Sequence, residues 1–556
     1  MSTKSPLTTA SIEAAEALFG ISYTPAERAL MLDNLEPQIA MAQARRALAL
    51  PGGLPPATRF DPRLPGFIMP TASGFAWQPR EAPLPAHDDD IAFAPLGALA
   101  HWVKAQQITC LRLTNIYLDR IARFGAALNG FAMVTADFAR KRAAELDDML
   151  ARGIWLGPLH GIPYGMKDLI DTAGITTGWG AEPYQTRTPE TDAPITQSLH
   201  EAGAILLGKT TLGALAYGDL WYGGRTRNPW NLDEGSSGSS AGSACVTAAG
   251  LAAFAIGTET LGSIISPSTR CGTTGLRPSF GRVSRSGAMA LCWSLDKIGP
   301  ICRSVEDTAL VLNAIIVPDA ADPCQITAPF TFNSFAPIAG LRLGYFEADF
   351  ADPETLTTDR DMLALAAELG LTLVPLSRPD LPYDSLISLL MAEAAAAFED
   401  LTLSNRDDEL TWQDDDAWPN SFRKARFLSA VDHIQLDRLR RLIMQEMDRL
   451  FQQVDVIIGP SLVGPMLTIT NFTGHPSLCL PTSLIGTPTR PPVSLTRNLA
   501  PDNDTGAKTH NVPHSISLWG RLYEEGPMLN IGQALEARLN FAAGRPPGFS
   551  CAPVTC

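Results

Sequence analysis

Serine hydroxyls set in two glycine-rich turns are the residues of this sequence best suited to chemistry. Ser239 lies in a polar, small-sided tract at 235–243, and Ser263 lies in a second Gly/Ser/Thr turn 24 residues later. A helix over 240–250 and a short buried strand over 252–256 fit between them, which brings both turns to one end of a sheet. By composition alone the first tract also suits a flexible linker. The core-grade apolar run that follows it argues against a linker.

A serine hydroxyl is a weak nucleophile until a base takes its proton, and histidine is the usual base. The sequence has 8 histidines, but none lies in either serine-rich turn. A buried lysine is the alternative, because burial disfavours the ammonium and lowers the lysine pKa. Lys167 lies in an apolar, glycine-containing segment that suits burial. Alternation along a strand points the neighbouring Asp168 to the other side.

Four segments, in this order and spacing, resemble those of the amidase signature family. They are GPLHGIPYGMKD at 157–168; NPWN at 228–231 with GSSAGSA at 238–244; GTETLGSIISPSTRCGTTGLRPSFGRVS at 257–284; and SLDKIGPICRSVEDTALVL at 294–312. The resemblance covers roughly residues 95–545. It implies an α/β amidase signature fold, with a large mixed β-sheet core covered by helices on both faces. An N-terminal helical extension precedes that fold.

The family resemblance also implies the roles of three side chains. Ser263 corresponds to the nucleophile that forms an acyl-enzyme, Lys167 to the base, and Ser239 to the proton relay between them. The serine that matches Ser239 is held through a cis peptide bond in the family. The resemblance implies neither a metal nor a cofactor. The expected oxyanion donors are the main-chain N–H groups of Thr260, Leu261, Gly262 and Ser263.

Three positions near the nucleophile depart from the common family pattern. Leu261 replaces the first glycine of a Gly-Gly pair, Glu259 replaces an aspartate, and Ile265 replaces an arginine. None of the departures removes an atom of the three catalytic side chains, so activity is still expected. Ile265 removes a positive charge close to Ser263, which weakens the case for an anionic substrate.

The substrate is predicted less directly, from aromatic residues near the motif segments. Aromatic side chains that line a pocket suit an aryl or apolar acyl group, whereas the alternative for each is core packing. We expect hydrolysis of apolar or aromatic amides, and also of esters or carbamates. The candidate pocket residues are Tyr164, Trp179, Ser240 and Trp221, with Tyr184, Tyr217 and Tyr222 nearby.

Three function classes remain open. The leading prediction is an amide hydrolase whose partners are a small-molecule amide and water. The second is an amidotransferase A-type glutaminase subunit, which needs partner chains and tRNA. The unmatched N-terminal residues, the departures near Ser263 and the acidic charge count against it. The third is a non-catalytic scaffold, which predicts loss of Lys167, Ser239 or Ser263. Members of the family are often dimers, and the N-terminal helices are a candidate interface for a homodimer.

Composition narrows the function classes further. The net charge of −15 disfavours a nucleic-acid partner, which usually needs a basic face. The 9 cysteines form no CxxC pair and no metal-ligand spacing with histidine, as expected of free thiols in a reducing compartment. No apolar signal-peptide region and no run of 18 apolar residues is present, so neither export nor a membrane span is expected. These features predict a cytoplasmic enzyme.

The sequence divides into four predicted parts. Residues 1–50 form an N-terminal helical extension, and residues 51–94 form a proline-rich arm whose aromatic residues pack along the body. Residues 95–545 form the amidase signature domain, and 546–556 form a C-terminal tail. A long polar loop at 497–514 inside the domain is either a lid or a surface excursion.

One motif match is predicted to be accidental. Residues 203–210, GAILLGKT, satisfy the Walker A pattern of nucleotide-binding loops. A phosphate loop needs a preceding strand and an open polar loop, but the residues between these glycines are all apolar. The segment is therefore predicted to be a core strand.

Overall fold

The computed structural model describes residues 7–491, 508–539, 541 and 544–550 of the 556-residue chain. Among these residues, no helix combines the length and the apolar content needed to cross a membrane. The helices are α1 Thr9–Phe19, α2 Pro25–Arg46, α3 Asp88–Ala92, α4 Leu96–Lys104, α5 Cys110–Leu128, α6 Ala136–Ala151, α7 Pro194–Glu201, α8 Ala241–Ala248, α9 Ile265–Cys271, α10 Val305–Ile315, α11 Glu347–Ala351, α12 Thr357–Glu368, α13 Ile387–Ala397, α14 Glu399–Leu403, α15 Trp418–Ala425, α16 Ala430–Phe451, α17 Met466–Thr473 and α18 Glu525–Leu539.

A mixed sheet of 11 strands forms the core. The strands are β1 Phe131–Val134, β2 Pro163–Lys167, β3 Ile205–Thr210, β4 Phe254–Glu259, β5 Thr274–Arg277, β6 Lys297–Cys302, β7 Arg342–Phe346, β8 Thr372–Leu376, β9 Val456–Pro460, β10 Ser477–Pro488 and β11 Thr509–Gly520. Their spatial order is β8-β7-β9-β11-β10-β5-β6-β4-β2-β3-β1. The strands β2, β3 and β4 run parallel to one another, as do β7, β8 and β9, whereas the strands between these groups pair antiparallel. The expected α/β fold with a large mixed sheet is confirmed.

The central parallel strands are buried along their whole length. Every residue of β2, β3 and β4 is buried, because neighbouring strands and helices cover these strands. Short apolar runs of this kind are typical of parallel strands covered on both faces. The segment 203–210 ends in β3, as predicted, and the Lys209 ammonium is buried against the Ile170 carbonyl and the Thr172 hydroxyl. Its side chain is therefore engaged within the core.

The N-terminal part begins with two capped helices and continues as an arm along the body. Thr24 accepts the N–H of Glu27, and Glu27 accepts the N–H of Thr24, which forms a capping box at the start of α2. Further along the arm, the Phe60 ring contacts the Phe280 ring at a centroid distance of 5.1 Å. Trp77 donates its indole N–H to Glu306 at 3.0 Å. The division of the chain into four parts stays a prediction.

The region predicted as a long loop at 497–514 is organised differently. Residues 509–514 belong to β11, which pairs with β10 from Thr509 to Trp519. Residues 508–514 do not alternate strictly between apolar and polar side chains, so the sequence did not indicate a strand there. Residues 492–507 lie outside the described residues, as do 551–556 of the predicted tail. The predicted helix over 240–250 is the shorter α8, and the predicted strand over 252–256 is β4, which extends to Glu259.

Candidate active site

The predicted lysine and serines meet where neighbouring parallel strands end. Lys167 is the last residue of β2, and β4 ends at Glu259, just before the turn that carries Ser263. The two strands are paired in register, with Met166 opposite Ile256. Ser239 lies two residues before α8, the helix that precedes β4 in the chain. Carboxyl ends of parallel strands are the usual place for a functional site in such sheets.

The Lys167 ammonium group is completely buried and is surrounded by hydroxyl groups. Its Nζ lies 2.9 Å from Ser239 Oγ, 3.0 Å from Ser240 Oγ and 2.8 Å from Thr258 Oγ1. In the described part of the chain, no carboxylate lies within ion-pair distance of this nitrogen. Burial therefore lowers the pKa of Lys167 well below its ordinary value, and the more distant charges of Asp296 and Glu259 offset this only in part.

Proton counting identifies which hydroxyls can donate to a neutral Lys167. A neutral amine offers two N–H donors and one lone pair. The Ser240 hydroxyl already donates to the Thr258 carbonyl at 3.0 Å and accepts the Thr258 N–H at 3.1 Å. Its proton is engaged, so Ser239 or Thr258 remains to donate to the lone pair. Ser240 was expected in the substrate pocket, but its hydroxyl group instead contacts Lys167 Nζ.

Asp168 does not contact the lysine that precedes it. Its Oδ2 accepts the main-chain N–H of Gly178 at 3.0 Å, which connects the end of β2 to the loop before Trp179. Burial raises the pKa of Asp168 to about 7, although the buried Lys209 charge opposes this rise. Asp168 is therefore not an acidic partner of Lys167.

Ser263 lies at the edge of the site, where its residue keeps 9% of its surface exposed, compared with 1% for Ser239. The two serine segments are joined by a main-chain bond, in which Ser240 N–H donates to the Ser263 carbonyl at 3.1 Å. The peptide bond between Gly238 and Ser239 is cis, as the family resemblance implied. No direct hydrogen bond between the Ser239 and Ser263 hydroxyls is present among the described residues. Catalytic contacts of this kind often tighten only when substrate binds.

The turn before Ser263 presents free main-chain donors. Within the described ranges, no acceptor of the chain takes the N–H groups of Leu261, Gly262 or Ser263. Gly262 has a φ of +89°, a left-handed conformation that favours glycine, and an added Cβ would meet Leu467 Cδ2 at 3.3 Å. The Thr260 hydroxyl donates to Asp296 at 2.7 Å and fixes the start of the turn.

Glu259 anchors the other end of this turn, a role that the sequence did not reveal. One carboxylate oxygen accepts the N–H groups of Ile264 and Ile265 at 2.8 and 2.9 Å. The other accepts Arg277 Nη1 at 2.7 Å and Asn471 Nδ2 at 2.9 Å. Burial alone would raise the pKa of Glu259, but Arg277 and the N–H donors outweigh it and hold the pKa below its ordinary value.

A cavity of about 420 Å³ is lined by Thr258, which contacts Lys167, and by Thr260, which begins the serine turn, whereas Lys167, Ser239 and Ser263 do not line it. Its two arginines are both neutralised: Arg187 forms two bonds to Asp171 at 2.7 and 2.8 Å, and Arg285 pairs with Asp322 at 2.9 Å. The other lining cation, Lys297, is buried, and burial lowers its pKa well below the ordinary value. The apolar lining residues include Leu169, Trp179, Tyr184, Met289, Leu291, Trp293 and Phe398. The volume and the lining suit a small neutral ligand.

The predicted pocket residues divide between cavity and core. Trp179 lines the cavity and packs against Tyr184 at a centroid distance of 4.6 Å. Tyr164 does not line it, and this expectation is corrected: the ring is buried in β2 and stacks on Phe254 at 5.3 Å. Trp221 is also buried away from the cavity lining, edge-on to Tyr222 at 4.7 Å. The prediction for Tyr164 was wrong because β2 is covered on both faces, which buries every side chain of that strand.

Two further findings concern metals and the N-terminal arm. Within the described ranges, no group of three or more His, Cys, Asp or Glu side chains is placed to hold a metal ion. Four residues at the start of the arm, from Leu50 to Pro55, line the cavity together with the aromatic residues. The arm has low hydrophobic periodicity, so its sequence did not predict this placement.

The fold and the buried lysine–serine contacts define an α/β protein with a serine-centred site. The Amidase family model matches residues 112–529, which is most of the chain. The chain belongs to the amidase signature family. A relative from Carboxydothermus hydrogenoformans, the A subunit of its glutamyl-tRNA(Gln) amidotransferase, is 31% identical over 481 residues, which are 80% of this chain and 97% of that protein.

Solved structures give the same assignment. The peptide amidase from Stenotrophomonas maltophilia has 28% identity and a TM-score of 0.69, with 82% of this chain and 99% of that chain covered. A chain from an inhibitor-bound vestigial protein complex, connected with the evolutionary origins of an s-triazine catabolic enzyme, has 26% identity and a TM-score of 0.69. That match covers 80% of this chain and 98% of the other.

Proposed function

We propose that this protein hydrolyses neutral apolar or aromatic amides through an acyl-enzyme on Ser263, with esters or carbamates as further substrates. The observation that carries the proposal is the contact of 2.9 Å between Lys167 Nζ and Ser239 Oγ, in a buried environment without a carboxylate partner. Burial without a carboxylate partner lowers the pKa of Lys167, which favours the neutral amine that can accept a proton.

The first half-reaction transfers one proton along the three side chains. Ser263 Oγ attacks the amide carbonyl, its proton passes to Ser239 Oγ, and the Ser239 proton passes to Lys167 Nζ. Collapse of the tetrahedral intermediate breaks the C–N bond, and the proton returns through Ser239 to the leaving amine. An ester then joins the acyl group to Ser263. Water, deprotonated by the same route, attacks this ester. Collapse of the second intermediate breaks the bond between Ser263 Oγ and the acyl carbon, the proton returns through Ser239 to Ser263 Oγ, and the carboxylic acid is released.

The oxyanion of both intermediates is assigned to the main-chain N–H groups of Thr260 to Ser263. The free donors of Leu261, Gly262 and Ser263 support this assignment, because donors without an internal acceptor are available to a ligand. Losing one such donor typically costs about 100- to 1,000-fold in kcat. Glu259 acts through this turn as a positioning residue.

The cavity lining supports a neutral substrate. Trp179, Tyr184 and Phe398 offer apolar surface, and both lining arginines are already paired with aspartates. An anionic substrate would have to displace Asp171 or Asp322 from its arginine. Trp179 therefore belongs to the substrate site in this proposal, and Tyr164 and Trp221 do not.

Labelling with a fluorophosphonate, followed by peptide mass spectrometry, tests the nucleophile. The expected result is one adduct on Ser263 that disappears in Lys167→Met, together with ammonia release from apolar primary amides. The matched control is Lys141→Met, which removes an exposed lysine of α6 and leaves labelling unchanged. An adduct that persists in Lys167→Met would overturn the assignment of the base.

A second candidate function is the glutaminase subunit of an amidotransferase. The similarity to the Carboxydothermus amidotransferase protein over 97% of its length favours it. Glutamine hydrolysis that rises on addition of amidotransferase partner subunits, with no turnover of apolar amides, would replace our proposal. A non-catalytic scaffold is disfavoured, because Lys167, Ser239 and Ser263 are all present.

A further inference from the structure

The outer wall of the cavity is formed by the N-terminal arm, which lies outside the residues matched by the family model. Leu50, Gly52, Gly53 and Pro55 line the cavity. They face a space that Thr258 and Thr260 line at its inner end. The family match begins at residue 112, so this wall lies outside the matched residues.

Contacts before and after the wall hold it in place. Arg45 Nη2 lies 2.6 Å from Glu399 Oε1, which Arg426 also contacts at 3.0 Å. After the wall, the Phe60 ring contacts the Phe280 ring. The Phe60 ring also contacts the guanidinium of Arg440, whose Cζ lies 3.3 Å from the ring centroid. These contacts attach both ends of the segment to the body of the protein.

Gly52 lies close to the main chain of the body. A Cβ added at Gly52 would lie 2.7 Å from the carbonyl oxygen of Ala397, at the end of α13. A main-chain oxygen cannot move away as a flexible side chain would, so a side chain at this position must displace the arm. Gly74, in the arm but outside the cavity lining, has nothing within 4 Å of an added Cβ.

We propose that the segment 50–55 is a specificity-determining wall that sets the maximum length of the apolar group on the amide substrate. This inference rests on the proposed amide hydrolase function. A short group fits between the serine turn and the wall, whereas a longer group contacts the arm. Binding of apolar groups improves about fourfold for each added methylene that is buried. The gain should stop at the length at which the group reaches residues 50–55.

The test measures kcat/KM for ammonia release from linear primary carboxamides of increasing chain length. In the full-length wild type, kcat/KM should rise about fourfold per methylene and then fall at a limiting length. Gly52→Ala should move this limit to longer chains, because it displaces the arm. Gly74→Ala, in the arm but outside the wall, is the matched control and should keep the wild-type limit.

Arg45→Ala provides a second way to loosen the wall without crowding Gly52. It removes the contact with Glu399 and should move the limit in the same direction as Gly52→Ala. Hydrogen exchange of residues 50–58 in each variant reports whether the arm has been released. A length profile that stays unchanged while the arm exchanges faster would overturn the proposal.

Binding separates this inference from the proposed function. The Ser263→Ala variant binds the same carboxamides without turnover, so titration calorimetry gives the length limit independently of catalysis. A limit that moves in Ser263→Ala/Gly52→Ala supports the wall even if the wild type hydrolyses none of these amides. Turnover in which Gly52→Ala and Gly74→Ala share one limit would leave the hydrolase proposal standing and overturn the wall.

Discussion

The lysine–serine site and the arm that closes the cavity are held in opposite ways. Lys167 and the Glu259–Arg277 pair are completely buried, and each has several partners from different elements. The wall at 50–55 is attached on its N-terminal side by Arg45 of α2, whose side chain is 46% exposed. Loss of one partner should therefore destabilise the protein strongly at the buried site and only slightly at Arg45. In our proposals, the buried region carries the chemistry, and the exposed attachment of the wall bears on selectivity.

Lys167→Met should have the largest effect, because it removes the base and leaves the protons of Ser239 and Ser263 without an acceptor. We expect kcat to fall by about 10⁴-fold or more, as for other members of a catalytic unit. The measurement is single-turnover hydrolysis of an apolar amide, with Lys141→Met as the control. A loss smaller than tenfold would show that another group accepts the proton.

Arg277→Met should affect folding stability most strongly, because it leaves the Glu259 carboxylate buried without its cation. Removing one partner of a buried ion pair typically costs about 3–5 kcal/mol. The measurement is the free energy of unfolding in urea, with Arg406→Met as the control, since Arg406 pairs at the surface with Glu409. Equal losses in the two variants would contradict the contrast between the interior and the surface.

The pH profile should show an acid limb governed by Lys167. The base must be unprotonated, so kcat/KM should fall tenfold per pH unit below the pKa of Lys167, which burial lowers. Asp296 raises this pKa through its negative charge. Asp296→Asn should therefore move the limb to lower pH, and a shift to higher pH would contradict the assignment.

Arg45→Ala should have the smallest effect on stability. Its ion pair with Glu399 is largely exposed at the arginine, and such pairs contribute about 0–1 kcal/mol. Thermal unfolding of this variant should stay close to that of the wild type. A large loss would mean that the arm supports the fold rather than only the cavity.

Local motifs predicted the three proposed catalytic residues, but not the contacts that position them. The four family segments identified Lys167, Ser239 and Ser263, and the apolar run before Glu259 predicted a buried strand. Ser240 and Thr258, which surround the lysine, and Arg277, which pairs with Glu259, lie in the same family segments, but the sequence did not indicate these contacts. Contacts of this kind depend on the packing of the sheet, which residue spacing does not specify.

The prediction of the pocket failed for a different reason. Aromatic residues were chosen by their position near the motifs, and sequence position does not separate a core strand from a cavity wall. Tyr164 therefore belongs to the core, whereas Trp293 and Phe398 line the cavity from distant parts of the chain. The arm has no hydrophobic period, so its place at the cavity became visible only in three dimensions.

The Glu259–Arg277 pair limits which side chain can occupy position 265. Ile265, where the family pattern has an arginine, is fully buried, and both oxygens of Glu259 already accept hydrogen bonds from other partners. An arginine at 265 would bury a second cation for which Glu259 has no vacant oxygen. The surroundings of Ser263 therefore accommodate an apolar side chain at 265 better than a cation.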